Sequence, residues 1–338
     1  MSDYRFEWRV CRRPFLKPLQ TAKGEWRERV TLIVRLDDEN GRHGYGEVAP
    51  LESFGSESVD YAAQCLRTLG ARQDLTSMLR IVPQFRATRF GLLSAFADLQ
   101  GWTARDQEFS RAVLLNLDAA AEEGCRRAAA DGFSLAKIKI GSAAPEWERE
   151  RLRLLIKSLP NAFRLRLDAN GSMDLQTLEA WAEDFSGESC IECLEQPLPP
   201  DLSLQQAQRL KVLHRRLPLA LDESVSSAPN WQHWVQDLGW PGLLVLKPSV
   251  FGSLDECRQA IKGQSERIIL SSAFESLVGL RSLLRLAAEF ELKRPLGLGT
   301  VDYFAEQVDL FGQVTVHSEV LKSAQMDALW ESLSKKGS

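Results

Sequence analysis

The sequence predicts an α/β protein, a modified (β/α)8 TIM barrel joined to an α+β capping domain. Five charged residues, Lys139, Asp168, Glu195, Asp222 and Lys247, recur at intervals of 29, 27, 27 and 25 residues. A βαβ unit takes about 30 residues, so one strand and one helix fit each interval. Each of the five closes a short run rich in apolar residues: FSLAKIKIG, FRLRLDANG, SCIECLEQP, LPLALDES and GLLVLKPS. That places them at the C-terminal ends of successive parallel strands, which in a closed barrel converge on one mouth. A chain of 338 residues then holds one barrel of about 250 residues and a smaller second domain.

Residues 1–108 are expected to form the capping domain. Segments 4–15 and 30–38 read as antiparallel strands, the second turning through 39–41 into RHGYGEVAP, with turn residues between apolar runs. Segments 58–69 and 84–105 carry apolar residues at helical spacing. Residues 109–302 are expected to form the barrel. Its strands are predicted at 112–117, 134–140, 163–168, 190–195, 217–222, 242–247, 266–272 and 296–299, with helices at 119–131, 146–159, 175–185, 204–216 and 254–263. Strand alternating with helix argues for a parallel sheet. The eighth strand, PLGLGT, is short and glycine-rich. Residues 303–338 add two strand-like pieces, DLFG and VTVHSEV, and are expected to pack back on the capping domain.

Composition narrows the function. A net charge of −4 with scattered Lys and Arg leaves no nucleic-acid footprint. No apolar run approaches the roughly 18 residues of a membrane span. The start, MSDYRFEWRV, lacks an apolar h-region, which predicts a cytoplasmic protein. The six cysteines are then expected to be free thiols. Cys190 and Cys193 have C-x-x-C spacing, but three residues apart on a strand they point to opposite faces. Histidines 43, 214, 233 and 317 are isolated and read as surface or packing residues.

The chemistry lies in the five charges. Asp168, Glu195 and Asp222 follow residues that would line a barrel interior, where carboxylates require a compensating cation. Three oxygen donors suit a hard divalent ion, Mg²⁺ with Mn²⁺ as the alternative. Singly, each acid would serve equally as a helix cap, since DANG, EQP and DES are all plausible capping contexts. Lys137 and Lys139 alternate with Ile138 and Ile140, so both lysines share one face. If the isoleucines face the helices, the lysines face the barrel; on an edge strand they would face solvent. Two neighbouring ammoniums make one easier to deprotonate, as a general base requires.

Together, the K-x-K of Lys137 and Lys139, DAN at Asp168, EQP at Glu195, DES at Asp222 and KP at Lys247 resemble the enolase superfamily, muconate-lactonizing subgroup. Within it, SSAFES from Ser271, GLGT from Gly297, KPSVFGS from Lys247 and EVAPLESFGSE from Glu47 resemble the o-succinylbenzoate synthase family. Two positions depart from many subgroup members: Met173 stands where a tryptophan is common, and Gly252-Ser253 where Gly-Gly is common.

The resemblance implies Mg²⁺ held by Asp168, Glu195 and Asp222 and a small-molecule dicarboxylate substrate. It also implies a hydro-lyase reaction, the syn-dehydration of 2-succinyl-6-hydroxy-2,4-cyclohexadiene-1-carboxylate to o-succinylbenzoate in menaquinone or phylloquinone biosynthesis. In that role Lys139 is the base and then the acid, Lys247 stabilises an enediolate, and Lys137 holds down the pKa of Lys139. Asn170 is expected beside the metal or as a helix cap. Ser271 and Ser272 are expected at the substrate, and Arg27, Arg29 or Ser53 at a cover over the mouth. The same scaffold serves N-succinylamino acid racemases and dipeptide epimerases. The latter place Asp-x-Asp after the eighth strand, where this chain reads GTVDYF. A non-catalytic scaffold would have no reason to keep unpaired buried charge.

Overall fold

In the computed structural model, residues 3–21, 24–81, 83–304 and 313–334 are described. An antiparallel sheet opens the chain: β1 (Tyr4–Thr21), β2 (Gly24–Asp37), β3 (His43–Val48) and β4 (Arg72–Gln73), in the order β3-β2-β1-β4. Both long strands exceed the sequence expectation, because their paired ends carry polar residues such as Lys17, Glu25 and Arg27 that an apolar count passes over. The turn after β2 is closed by Asp38, whose carboxylate accepts from the amides of Asn40 (2.9 Å) and Arg42 (2.8 Å).

One face of this sheet packs Leu32, Val34, Leu36 and Val48 against Ala62, Leu66, Ala87, Leu92, Ala95 and Leu99 of the capping helices. The other face turns Cys11, Ile33 and Tyr45 into the larger core that continues through the barrel. The helix Arg86–Leu99 crosses β3 with almost no gap. A Cβ at Gly46 would stand 1.9 Å from the Gly91 carbonyl oxygen, so only glycine permits this approach.

After β5 (Glu108–Ser110) come β6 (Val113–Asn116), β7 (Leu135–Lys139), β8 (Arg164–Asp168), β9 (Ile191–Glu195), β10 (Leu219–Leu221), β11 (Leu243–Leu246) and β12 (Ile268–Leu270). These last seven pair in chain order, all in parallel. The eighth strand is a correction to expectation: among the described residues it is reduced to two bridges, Arg111 to Leu296 and Ser271 to Gly297. Four backbone bonds of 2.8–3.0 Å close the barrel there, among them Ala112 N–H to the Leu296 carbonyl and Ser272 N–H to the Gly297 carbonyl. A Cβ at Gly297 would meet Ser271 Oγ at 2.6 Å, which is why this junction is glycine.

Ile138 and Ile140 join the core between strands and helices. Inside the barrel, Cys193, Ala220, Leu243, Val245 and Ile269 make a small separate cluster. Cys190 packs on the outer core, so the two cysteines do face opposite ways, and all six are free. Beside that cluster, on the side of the barrel away from the mouth acids, lies a charged floor. Arg166 donates Nε (3.0 Å) and Nη2 (2.7 Å) to one oxygen of Glu192, and Arg294 donates to the other (2.9 Å). Burial alone would raise the Glu192 carboxyl, but the guanidiniums of Arg166 and Arg294 outweigh it and hold the pKa below the ordinary value. A register shift between β8 and β9 beyond Leu165 turns Glu192 inward.

At the C-terminal end β13 (Thr315–His317) pairs antiparallel with β5. The helix Ser323–Ser334 reaches the cap, where Arg9 donates to the Trp330 carbonyl (2.6 Å) and Tyr45 to Asp327 (2.8 Å). The strand expected at DLFG lies outside the described residues.

Candidate active site

Strand register levels the charges. Lys139 stands opposite Asp168, and Asp168 opposite Glu195. Asp222 and Lys247 each follow the last residue of their own strand, β10 and β11. All five therefore rim one end of the barrel. The capping alternative is displaced: Asp174 caps the helix after β8 and Ser203 the helix after β9. Asp222 precedes a short 3-10 turn without a side-chain capping bond.

Lys137, one layer below Lys139, extends upward into the acids. Its Nζ lies 2.7 Å from Asp168 Oδ2 and 2.7 Å from Glu195 Oε1. Burial opposes its charge, yet Asp168, Glu195 and Asp222 together raise its pKa above the ordinary lysine value. Lys247 pairs in the same way with Asp222. Lys139 is exposed at the rim. The acids separate in behaviour. Burial pushes Glu195 up to about 7, with Asp168 and Asp222 adding to it against Lys137. Burial also raises Asp222, whereas for Asp168 it is outweighed by Lys137 and the pKa falls.

These residues fit a divalent cation. Among the described residues no three acids or histidines are already gathered as a coordination set, because the two ammoniums stand between the carboxylates. Yet Glu195 Oε2 is buried without a partner, and the charges of Asp168 and Asp222 both act on Glu195. Such an orphaned anionic oxygen calls for a cation or water.

Several neighbours carry no periodic signal in the sequence. Gln196 is buried, and its side-chain oxygen accepts from the amides of Asp222 (3.0 Å) and Ser224 (3.1 Å), fixing the loop that bears Asp222. Glu223, raised by burial, meets Asn170 Nδ2 at 3.4 Å and leaves Oε2 buried and unpartnered. Asn170 thus stands beside the acids in a left-handed conformation (φ 44°), and its amide donates to Asp168 (3.1 Å). Ser271 and Ser272 both donate their hydroxyls to the Gly297 carbonyl, at 3.2 and 3.1 Å. Arg29 lies at the junction of cap and barrel. It is buried and donates to the carbonyls of Pro50, Ala49 and Ala273, linking cap to barrel. Arg27 is an exposed partner of Glu25, and Ser53 is exposed on the capping loop. Phe15, Trp26, Phe274, Tyr303 and Phe304 form an aromatic cluster where cap and barrel meet.

The o-succinylbenzoate synthase of Thermosynechococcus vestitus is 36% identical over 301 residues, covering 87% of this chain and 92% of that protein. The chain belongs to the o-succinylbenzoate synthase family. Like its family it is an enzyme, a hydro-lyase. Residues 16–99 match the family model described as MenC, N-terminal domain, and 119–264 the model described as Enolase C-terminal domain-like. The synthase of Edwardsiella ictaluri is 30% identical, over 80% of this chain and 82% of that one. A crystal structure of the synthase from Thermosynechococcus elongatus BP-1, with Mg in its active site, superposes with a TM-score of 0.85 at 33% identity. It covers 97% of this chain and all of that one. A dipeptide epimerase from Methylococcus capsulatus, TM-score 0.75 at 22% identity, shares the fold. No helix among the described residues is long and apolar enough to cross a membrane.

Proposed function

We propose that this synthase-family chain carries out the Mg²⁺-dependent syn-dehydration of 2-succinyl-6-hydroxy-2,4-cyclohexadiene-1-carboxylate to o-succinylbenzoate, a step of menaquinone or phylloquinone biosynthesis in the cytoplasm. The observation that carries it is the single level of Lys139, Asp168 and Glu195 across three adjacent strands, with Asp222 and Lys247 continuing the rim. Residues 1–108 would be the cap, 109–302 the catalytic barrel and 303–338 the returning segment.

Asp168, Glu195 and Asp222 would hold the ion, with Mn²⁺ as an alternative to Mg²⁺. Bound there, the ion supplies Lewis-acid stabilisation of the charge that develops on the substrate carboxylate. Lys139, exposed at the rim, takes the proton α to that carboxylate, leaving the electron pair as an enediolate. It then returns the proton to the departing hydroxyl on the same face, so that water leaves as the ring becomes aromatic. Lys137, held as an ammonium by two carboxylates, keeps a fixed positive charge two residues away from Lys139. Lys247, across the mouth, sets an ammonium against the enediolate charge. Asn170 orders the acids through Asp168 and Glu223. Ser271 and Ser272 would meet the substrate by exchanging their bonds to Gly297, and the aromatic cluster offers the ring an apolar wall.

The epimerase reading is weakened at Asp302. One oxygen of its carboxylate accepts from the buried Arg111 (3.0 Å), and Phe304 stands where the second acid of an Asp-x-Asp would be. The test is turnover of the cyclohexadiene substrate, followed as new aromatic absorbance, with EDTA and then added Mg²⁺. Mg²⁺-restored turnover supports the dehydration. Turnover failing with Mg²⁺ present rejects it and moves the test to α-proton exchange of succinylated amino acids in D₂O.

A further inference from the structure

Lys247 has a second partner beside Asp222. Its Nζ stands 4.3 Å from the centroid of the Phe54 ring, and Phe54 belongs to the capping domain. We propose that Phe54 is a positioning residue for Lys247, holding the ammonium against the mouth through the face of its ring. The proposal rests on the reading of Lys247 as the group that faces the enediolate.

The placement of Phe54 is built. It ends the 3-10 turn Glu52–Phe54, which is closed by Phe54 N–H to the Leu51 carbonyl (2.9 Å) and Gly55 N–H to the Glu52 carbonyl (3.0 Å). Ser56 Oγ accepts from Leu51 N–H at 2.7 Å, tying the loop across its base. Arg86 donates one nitrogen to the Phe54 carbonyl (2.9 Å) and another to the Ser226 carbonyl (2.8 Å). Ser226 lies on the barrel loop that carries Asp222, so one guanidinium ties the ring's backbone to the metal-site loop. Gly55 is left-handed (φ 71°), and a Cβ there would stand 2.8 Å from Arg86, so the loop and Arg86 are fitted to each other. Before the turn, Arg29 holds Pro50 and Ala49; after it, Glu57 accepts from Thr88 N–H (2.7 Å) at the start of the helix Arg86–Leu99.

Charge explains why this partner is a ring. If Asp222 gives its charge to a divalent ion, Lys247 loses much of its pairing. A second carboxylate in its place would compete with the enediolate for the ammonium. An aromatic face attracts a cation without adding net charge, so it holds the ammonium in place and leaves its outward side available.

The test compares Phe54→Leu, Phe54→Trp and Arg86→Met with the parent enzyme. Loss of such a contact corresponds to about a tenfold effect on rate. We expect Phe54→Leu to lower kcat about tenfold with KM held within about twofold, and Phe54→Trp to restore kcat, because a larger ring still presents a face. Arg86→Met, which loosens the loop, should fall in the same direction as Phe54→Leu. A second readout needs no turnover. On reductive ¹³C-methylation, which keeps the charge, the Lys247 signal, assigned by its loss in Lys247→Arg, should be ring-current shifted in the parent and in Phe54→Trp but not in Phe54→Leu. Unchanged kcat in Phe54→Leu, or a Lys247 signal indifferent to it, overturns the proposal. If the parent enzyme does not dehydrate the substrate, the functional reading fails, and the methyl signal still decides the contact.

Discussion

The barrel interior holds two charged clusters one above the other, and they are finished differently. On the floor, both oxygens of Glu192 are occupied by Arg166 and Arg294, and the carboxyl is held below its ordinary pKa. At the mouth, Glu195 keeps one oxygen buried and unpartnered, and burial lifts its pKa to about 7. Two glutamates of one strand, Glu192 and Glu195, thus belong to a closed network in one layer and an open one in the next. A satisfied cluster specifies the fold; an unsatisfied one is ready for a ligand. Stability and function are thus separated by a few ångströms of barrel depth.

The sharpest way to break the comparison is to cut each layer alone. Lys139→Ala should lower turnover about 10²–10⁴-fold, the usual contribution of a general acid–base group, while its melting curve stays with the parent's. Arg166→Met should do the reverse, because leaving Glu192 short of a partner costs about 3–5 kcal/mol; the melting midpoint falls while turnover per folded molecule is kept. Mg²⁺ should next stabilise the fold through the mouth alone, by about 2.7 kcal/mol at a hundred times its Kd, and raise the midpoint accordingly. Calorimetry should find that gain absent in Asp222→Asn and intact in Arg166→Met.

The smallest effect is in pH, and the two acids have opposite signs. Glu192, depressed in the fold, contributes stability above the ordinary glutamate pKa and loses it as pH falls through its lower folded value. Glu195, raised to about 7, favours the fold below the ordinary value and loses that contribution as pH rises through 7. In metal-free protein, Glu195→Gln should therefore raise the midpoint relative to the parent above pH 7, while abolishing Mg²⁺-dependent turnover. Glu192→Gln should instead lower the midpoint at neutral pH, with the difference shrinking in acid.

The mouth was legible in the sequence because its charges interrupt apolar runs at a regular interval, and a strand period of two then assigns the face of Lys137 and Lys139. The floor was not. Arg166 is two residues before Asp168, so its inward face follows from alternation, but Glu192 turns inward only through the register shift after Leu165, which no local pattern records. Gln196 and Glu223 sit beside recognised acids, yet their roles depend on contacts across neighbouring loops. Phe54 was equally hidden, since it reaches Lys247 from another domain. The eighth strand was over-read: PLGLGT carries strand-like residues, but Gly297 abuts Ser271 so closely that only two residues bridge.

That narrow closure has a consequence for how the barrel opens. Leu296 and Gly297 are the only residues of the eighth segment, among those described, that bridge its neighbours, whereas β7 meets β8 along five paired positions. Native-state hydrogen exchange should make this line the barrel's first fastening to part, ahead of the pairs around β8 and β9. Ser271 and Ser272 lie on it. A ligand that engages them would then act as a clasp, and its occupancy would be recorded as slower exchange at the amides of Gly297 and Ser272.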